Sequence, residues 1–127
     1  MHYEAVDSEG WDVTDRAVYD VPPLASTGNY RMQLHVRTTT APRFPFKHLY
    51  VEVRQQWRSS QRIDTIACSF SDIGPSATGI SIRQHVFPIG LYHLQQGDSA
   101  RITLRHVMRK EELPGISDLG ISLEPLK

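Results

Sequence analysis

The stretch Tyr30-Arg31-Met32-Gln33-Leu34-His35-Val36-Arg37, prolonged by Thr38-Thr39-Thr40, alternates apolar and polar residues along its whole first part. In an extended chain successive side chains point to opposite faces. Tyr30, Met32, Leu34 and Val36 therefore share one face, and Arg31, Gln33, His35 and Arg37 share the other. One dry face and one wet face is the pattern of an antiparallel sheet packed on one side only. Ala41-Pro42-Arg43-Phe44-Pro45 ends the strand, because proline donates no ladder hydrogen bond.

Working outward, Phe46 to Trp57 reads the same way, with Leu49, Val51 and Val53 inward and Tyr50, Glu52 and Arg54 outward. The polar run Arg58-Ser59-Ser60-Gln61-Arg62 makes a turn, and Ile63 to Phe70 returns, which predicts a hairpin. Ser71 to Gly79 is a loop, and Ile80 to Phe87 a further strand. Pro88-Ile89-Gly90 and Gln95-Gln96-Gly97-Asp98 carry turn chemistry around a brief Leu91-Tyr92-His93-Leu94 run. Ala100 to Met108 and Ile116 to Leu123 complete the series. Upstream, Arg16 to Val21 is a short strand stopped by Pro22-Pro23, and residues 1 to 14 are expected to be a loose polar lead-in around Trp11.

About eight short strands and no convincing helical periodicity predict an all-β fold. We expect an antiparallel two-sheet sandwich in a jelly-roll-like order. An immunoglobulin-like sandwich is the alternative, although its Cys…Trp…Cys hallmark is missing. No linker or internal repeat interrupts the chain, so residues 1 to 127 are read as a single domain.

Lys plus Arg and Asp plus Glu balance at 14 each, giving no net charge with His neutral. That argues against nucleic acid or an anionic membrane surface as the main partner, since both select positive charge. The single cysteine, Cys68, alternates with Ile66 and Phe70 and reads as a small buried hydrophobe with no Cys–His signature around it. No apolar run approaches the ~20 residues of a membrane-spanning helix. Met1-His2-Tyr3-Glu4-Ala5 has none of the features of a signal peptide, which suits either a cytosolic chain or a mature exported domain whose leader has been removed.

Chemistry-bearing residues are scattered. His2, His35, His48, His85, His93 and His106 form no H-x-H or HExxH pair, so no metal and no cofactor is expected. Arg31, Gln33, His35 and Arg37 make a polar ladder that Arg83-His85 and Arg101-Arg105 could continue on neighbouring strands. Such a face could take carboxylates or phosphorylated or sulfated groups. The alternative is a solvated face whose arginines pair with carboxylates such as Glu52. Trp11, Trp57 and Tyr50 could stack sugar rings, or simply cap the core. Glu111 and Glu112 are adjacent and would splay apart on a strand, and there is no GxSxG elbow, P-loop or GxGxxG fingerprint, so no enzyme is expected.

The closing segment Met108-Arg109-Lys110-Glu111-Glu112-Leu113-Pro114-Gly115-Ile116-Ser117-Asp118-Leu119-Gly120-Ile121-Ser122-Leu123-Glu124 resembles the C-terminal signature of the GldH gliding-motility lipoproteins of Bacteroidetes. Upstream, Asn29-Tyr30 to Arg37 is similar to the family's Tyr-led strand, and Pro45-Phe46-Lys47-His48-Leu49-Tyr50 to its Pro-aromatic step. Asp64-Thr65 and Gly90-x-Tyr92 follow in the family's order. The resemblance implies an exported lipoprotein held to a membrane by an N-terminal acyl-cysteine that this chain does not include. It further implies envelope protein partners in gliding or type IX secretion, no enzymatic activity and no cofactor. A glycan partner is the rival expectation.

Within that segment, Pro114-Gly115 suits a turn whose third residue needs a positive φ. Arg109 and Asp118 flank the turn and are expected to pair, pinning the connection to the sandwich end.

Overall fold

A computed structural model of the chain describes residues 2–5, 11–12, 14–39, 45–58, 60–70, 82–109 and 112–126. Its ten strands are β1 (His2–Ala5), β2 (Trp11–Asp12), β3 (Ala17–Val21), β4 (Gly28–Thr39), β5 (His48–Trp57), β6 (Gln61–Ser69), β7 (Ile82–Leu94), β8 (Ala100–His106), β9 (Glu112–Leu113) and β10 (Ile116–Pro125). They form two four-stranded sheets, β1-β10-β4-β7 and β3-β8-β5-β6, and a small β2-β9 pair. Every pairing is antiparallel. With the small pair set aside, the first strand lies beside the last and the second beside the next-to-last. That winding, split over two sheets, is the jelly roll.

The alternation in the sequence explains the packing. Met32, Leu34 and Val36 of β4 and Leu119 and Ile121 of β10 face Leu49, Val51 and Val53 of β5 and Ile102 and Leu104 of β8 across a closed apolar core. Burial of these side chains is the main stabilising term, at roughly 25 cal/mol per Å² of apolar surface. Polar bonds also cross between the sheets: Tyr19 on β3 donates its hydroxyl proton to the Leu119 carbonyl on β10 over 2.6 Å, and the Gln55 amide on β5 donates to the Tyr92 hydroxyl on β7 at 3.2 Å.

Two expectations change. The N-terminal lead-in is not loose where it is described, because β1 pairs with β10 and Trp11 is fully buried in the core. Pro88-Ile89-Gly90 is not a turn. It lies inside the long edge strand β7, where the register with β4 shifts between Met32 and Gln33. An edge strand tolerates proline because one side of its backbone has no neighbour to bond. An added Cβ at Gly90 would come within 2.6 Å of the Tyr92 hydroxyl, so the Tyr92 ring would have to shift to admit one. The loop assigned to Ser71 to Gly79 lies outside the described residues.

The glycine of the closing turn behaves as its position demands. Gly115 has φ 88°, and its carbonyl accepts from the Thr39 amide at 2.9 Å, tying the β9–β10 turn to the end of β4.

Candidate functional site

The outer face of the β1-β10-β4-β7 sheet carries the polar ladder of β4, and its members are engaged within the fold. Arg31 bonds Glu124 at 2.8 Å, and Arg37 approaches Asp118 at 3.7 Å. His35 is buried although it points away from the core. Its Nε2 lies 2.8 Å from Ser122 Oγ and its Nδ1 3.3 Å from the Gln84 amide nitrogen. With Gln84 donating to Nδ1, the ring proton sits on Nε2 and is donated to Ser122. Gly120 lies opposite His35 in register. Burial holds the His35 pKa below the usual imidazole value, so the ring is neutral.

Arg83-His85 and Arg101-Arg105, which could continue the ladder, do not. Arg83 and His85 sit opposite Thr38 and Val36 in register, on the core side of β7, and Arg101 and Arg105 belong to the other sheet. His85 is held neutral chiefly by burial and lies 3.2 Å from Thr38 Oγ1. No extended basic face is assembled from these residues.

Arg109 and Asp118 do not pair either. A register irregularity between Ile116 and Asp118 turns the Asp118 carboxylate toward Arg37 on the neighbouring strand. Sequence proximity across the turn is overridden by sheet register. Asp118 Oδ1 is buried without a hydrogen-bond partner among the described residues.

On the outer face of the β3-β8-β5-β6 sheet, Glu52 accepts two bonds from Arg105, at 3.0 and 2.9 Å, with Arg54 at 3.5 Å. These bonds, Arg105's hydrogen bond first, hold Glu52 below the usual carboxylate range. Arg101 pairs with Asp20 at 3.0 Å. These arginines fit the solvated-face alternative.

The three aromatics singled out as sugar platforms have different fates. Trp11 is 0% exposed, with its indole N–H donated to the Asp15 carbonyl and its own carbonyl 2.9 Å from His106 Nε2. Trp57 is half-buried and donates to Gln55 Oε1 at 3.0 Å, while the Gln55 amide donates to the Tyr92 hydroxyl at 3.2 Å. Arg62 caps the Tyr92 ring 4.7 Å from its centroid. Trp57 thus heads a bonded network and does not lie flat to solvent. Tyr50 alone of the three is exposed, at 41%.

Tyr50 belongs to a groove of about 450 Å³ at one end of this sheet, lined by Phe46, Tyr50, Val107, Met108 and Arg109. Phe46 and Val107 are each 37% exposed, so the lining is apolar and open to water. The groove exists because the chain leaves the β5–β8 ladder just after His106. Val107 still donates to the Tyr50 carbonyl at 3.0 Å, but the Tyr50 amide is met by Met108 Sδ at 3.4 Å. A thioether is a weak acceptor. In the sequence Tyr50 is a candidate either for sugar stacking or for capping the core, and Met108-Arg109 belongs to the family-like closing segment; nothing there brings the two together. The available signal was Val107, an apolar residue at an outward position two after Arg105.

Cys68 is buried in β6, and burial pushes its thiol pKa up to about 12, so it is a protonated packing residue. Among the described residues no three of His, Cys, Asp and Glu come together as a metal site would require. No helix of the described chain is long and apolar enough to cross a membrane.

A family model described as GldH lipoprotein matches residues 1–123. No curated protein matches the chain.

Proposed function

The chain belongs to the GldH lipoprotein family, and from that premise we propose that it is the non-enzymatic, water-facing domain of an envelope lipoprotein that serves gliding motility or type IX secretion as an assembly or interaction component. The observation that carries this reading is the family match over residues 1–123, nearly the whole jelly roll. The fold supports it. His35, His85 and His106 are engaged in bonds within the fold, Glu52, Asp118 and Glu124 face arginines, and the open groove offers contact area. Cys68, buried near the end of β6, does not serve as the acyl attachment point. The domain would be tethered by a lipid on a residue preceding it, and would meet its partners through protein surface.

The glycan alternative loses ground because Trp11 is inside the core and Trp57 is tied into the Gln55–Tyr92 network.

The test is purification of the membrane-anchored form from lightly cross-linked cells of the source organism. Stoichiometric recovery of a motility or secretion component is expected. Recovery of the protein alone, with specific retention on a glycan array, would replace this reading with the carbohydrate one.

A further inference from the structure

We propose that the groove at the start of β5 is the docking site for an extended segment of a partner protein, one that presents apolar side chains next to a carboxylate. The proposal rests on the interaction role given above and names the chemistry of the partner.

Three features of the groove converge. Its walls are Phe46, Tyr50, Val107 and the Met108 thioether, an apolar lining left open to water. At its rim stands Arg109, exposed, with no ion-pair partner among the described residues. The third feature is the backbone of β5. Phe70 donates to the Lys47 carbonyl, so odd-numbered residues at this end of β5 turn their amides and carbonyls toward β6. Even-numbered ones, His48 and Tyr50, turn theirs toward the lane of β8. The β8 pairing stops at Val51 opposite His106. Beyond it, the Tyr50 amide has only a sulfur acceptor, and no described backbone group meets His48 on that side.

An extended peptide laid beside β5 beyond its last pair with β8 would replace the thioether with a carbonyl, the stronger acceptor. Alternate side chains would drop into the groove, as in other cases of strand addition. The unpaired guanidinium sets the charge of the occupant: a carboxylate, from an acidic residue or a chain terminus, completes a charge-assisted pair. A cationic or purely apolar segment leaves Arg109 unmatched.

The experiment uses the whole chain, 15N-labelled, and two pools of N-acetylated hexapeptides. Both pools have varied apolar residues at the two positions before the last. One ends in aspartate and the other in lysine amide. Retention of the aspartate pool is expected, with its best members shifting the amides of His48, Tyr50, Val107 and Arg109. The Tyr50 proton should move downfield as oxygen replaces sulfur. Arg109→Glu, on an exposed side chain, should leave the rest of the spectrum unchanged and weaken aspartate-pool binding about tenfold or more while favouring the lysine pool.

Equal retention of both pools, retention of neither at millimolar peptide, or shifts confined to the Arg31–Arg37 face would overturn the proposal. So would the same shifts produced by anionic phospholipid vesicles in the absence of peptide. If the peptides bind as expected but deletion of the gene leaves motility and secretion intact, the groove stands and the proposed role falls. If the reverse is found, the role stands and the groove does not serve it.

Discussion

Replacing Tyr19 with phenylalanine removes one oxygen atom and tests how the two sheets are joined. Tyr19 is 2% exposed, and its hydroxyl reaches across the sandwich to the Leu119 carbonyl at 2.6 Å. A buried hydrogen bond of this kind contributes about 0.5–1.5 kcal/mol net. The void left by the hydroxyl is too small for a water, so the released lone pair on Leu119 finds no substitute. A total loss of about 1–2 kcal/mol follows. For a chain of this length that corresponds to a fall in Tm of about 4–7 °C. Thermal unfolding followed by near-UV circular dichroism would read it. Tyr50→Phe serves as the control, because that ring is exposed and should move Tm by no more than about 1–2 °C. A Tyr19→Phe melt indistinguishable from the Tyr50→Phe melt would refute the claim that this bond ties the sheets.

Other perturbations separate roles that the sequence leaves merged. Arg37→Ala, which strands the partly buried Asp118 carboxylate, should cost about 1–2 kcal/mol, while Arg109→Ala should leave urea unfolding within about 0.5 kcal/mol of wild type; equal effects would restore the Arg109–Asp118 pairing. Gly115→Ala forces a side chain onto a positive φ and should cost about 1–2 kcal/mol in the same assay, so an unchanged midpoint would deny that the turn needs glycine. Acid titration has two stages. His35 and His85 have folded pKa values below the unfolded one near 6.5, so the stability they contribute is complete above that value and is lost as pH falls below it toward the folded values. Glu52, lowered by Arg105, adds a second loss below the ordinary carboxylate range, and Glu52→Gln should abolish that part alone. A Tm independent of pH between 7 and about 4 would contradict the buried-histidine assignment.

The sandwich was legible wherever one face of a strand is dry. Tyr30 to Arg37 and Leu49 to Arg54 fall on the expected faces because core burial forces their alternation. The glycine of the Pro114-Gly115 turn was legible too, from backbone sterics alone. Elements held by backbone bonds rather than by apolar faces were not. His2-Tyr3-Glu4-Ala5 has no strand pattern, yet it pairs with β10. Trp11 is hidden among polar neighbours, and its burial depends on His106, far along the chain, which lies edge-on to it at 4.9 Å between ring centroids. Pro88 and Gly90 carry turn signals that an edge strand absorbs. The groove was invisible for a related reason: Tyr50 and Met108 meet only through the β5–β8 register, and only because that register breaks off after His106. On the polar face of β4 the sequence leaves a ligand-binding and a solvated, carboxylate-paired reading open, and the ion pairs of Arg31 and Arg37 with carboxylates on β10 favour the second.

The proposed role makes this domain a working part of a gliding or secretion machinery. Deletion of the gene in the source organism, with colony spreading, single-cell gliding and secreted protein measured together, tests that most directly. Loss of gliding or secretion is expected, restored by the wild-type anchored protein. A deletion strain that glides and secretes like its parent would contradict it.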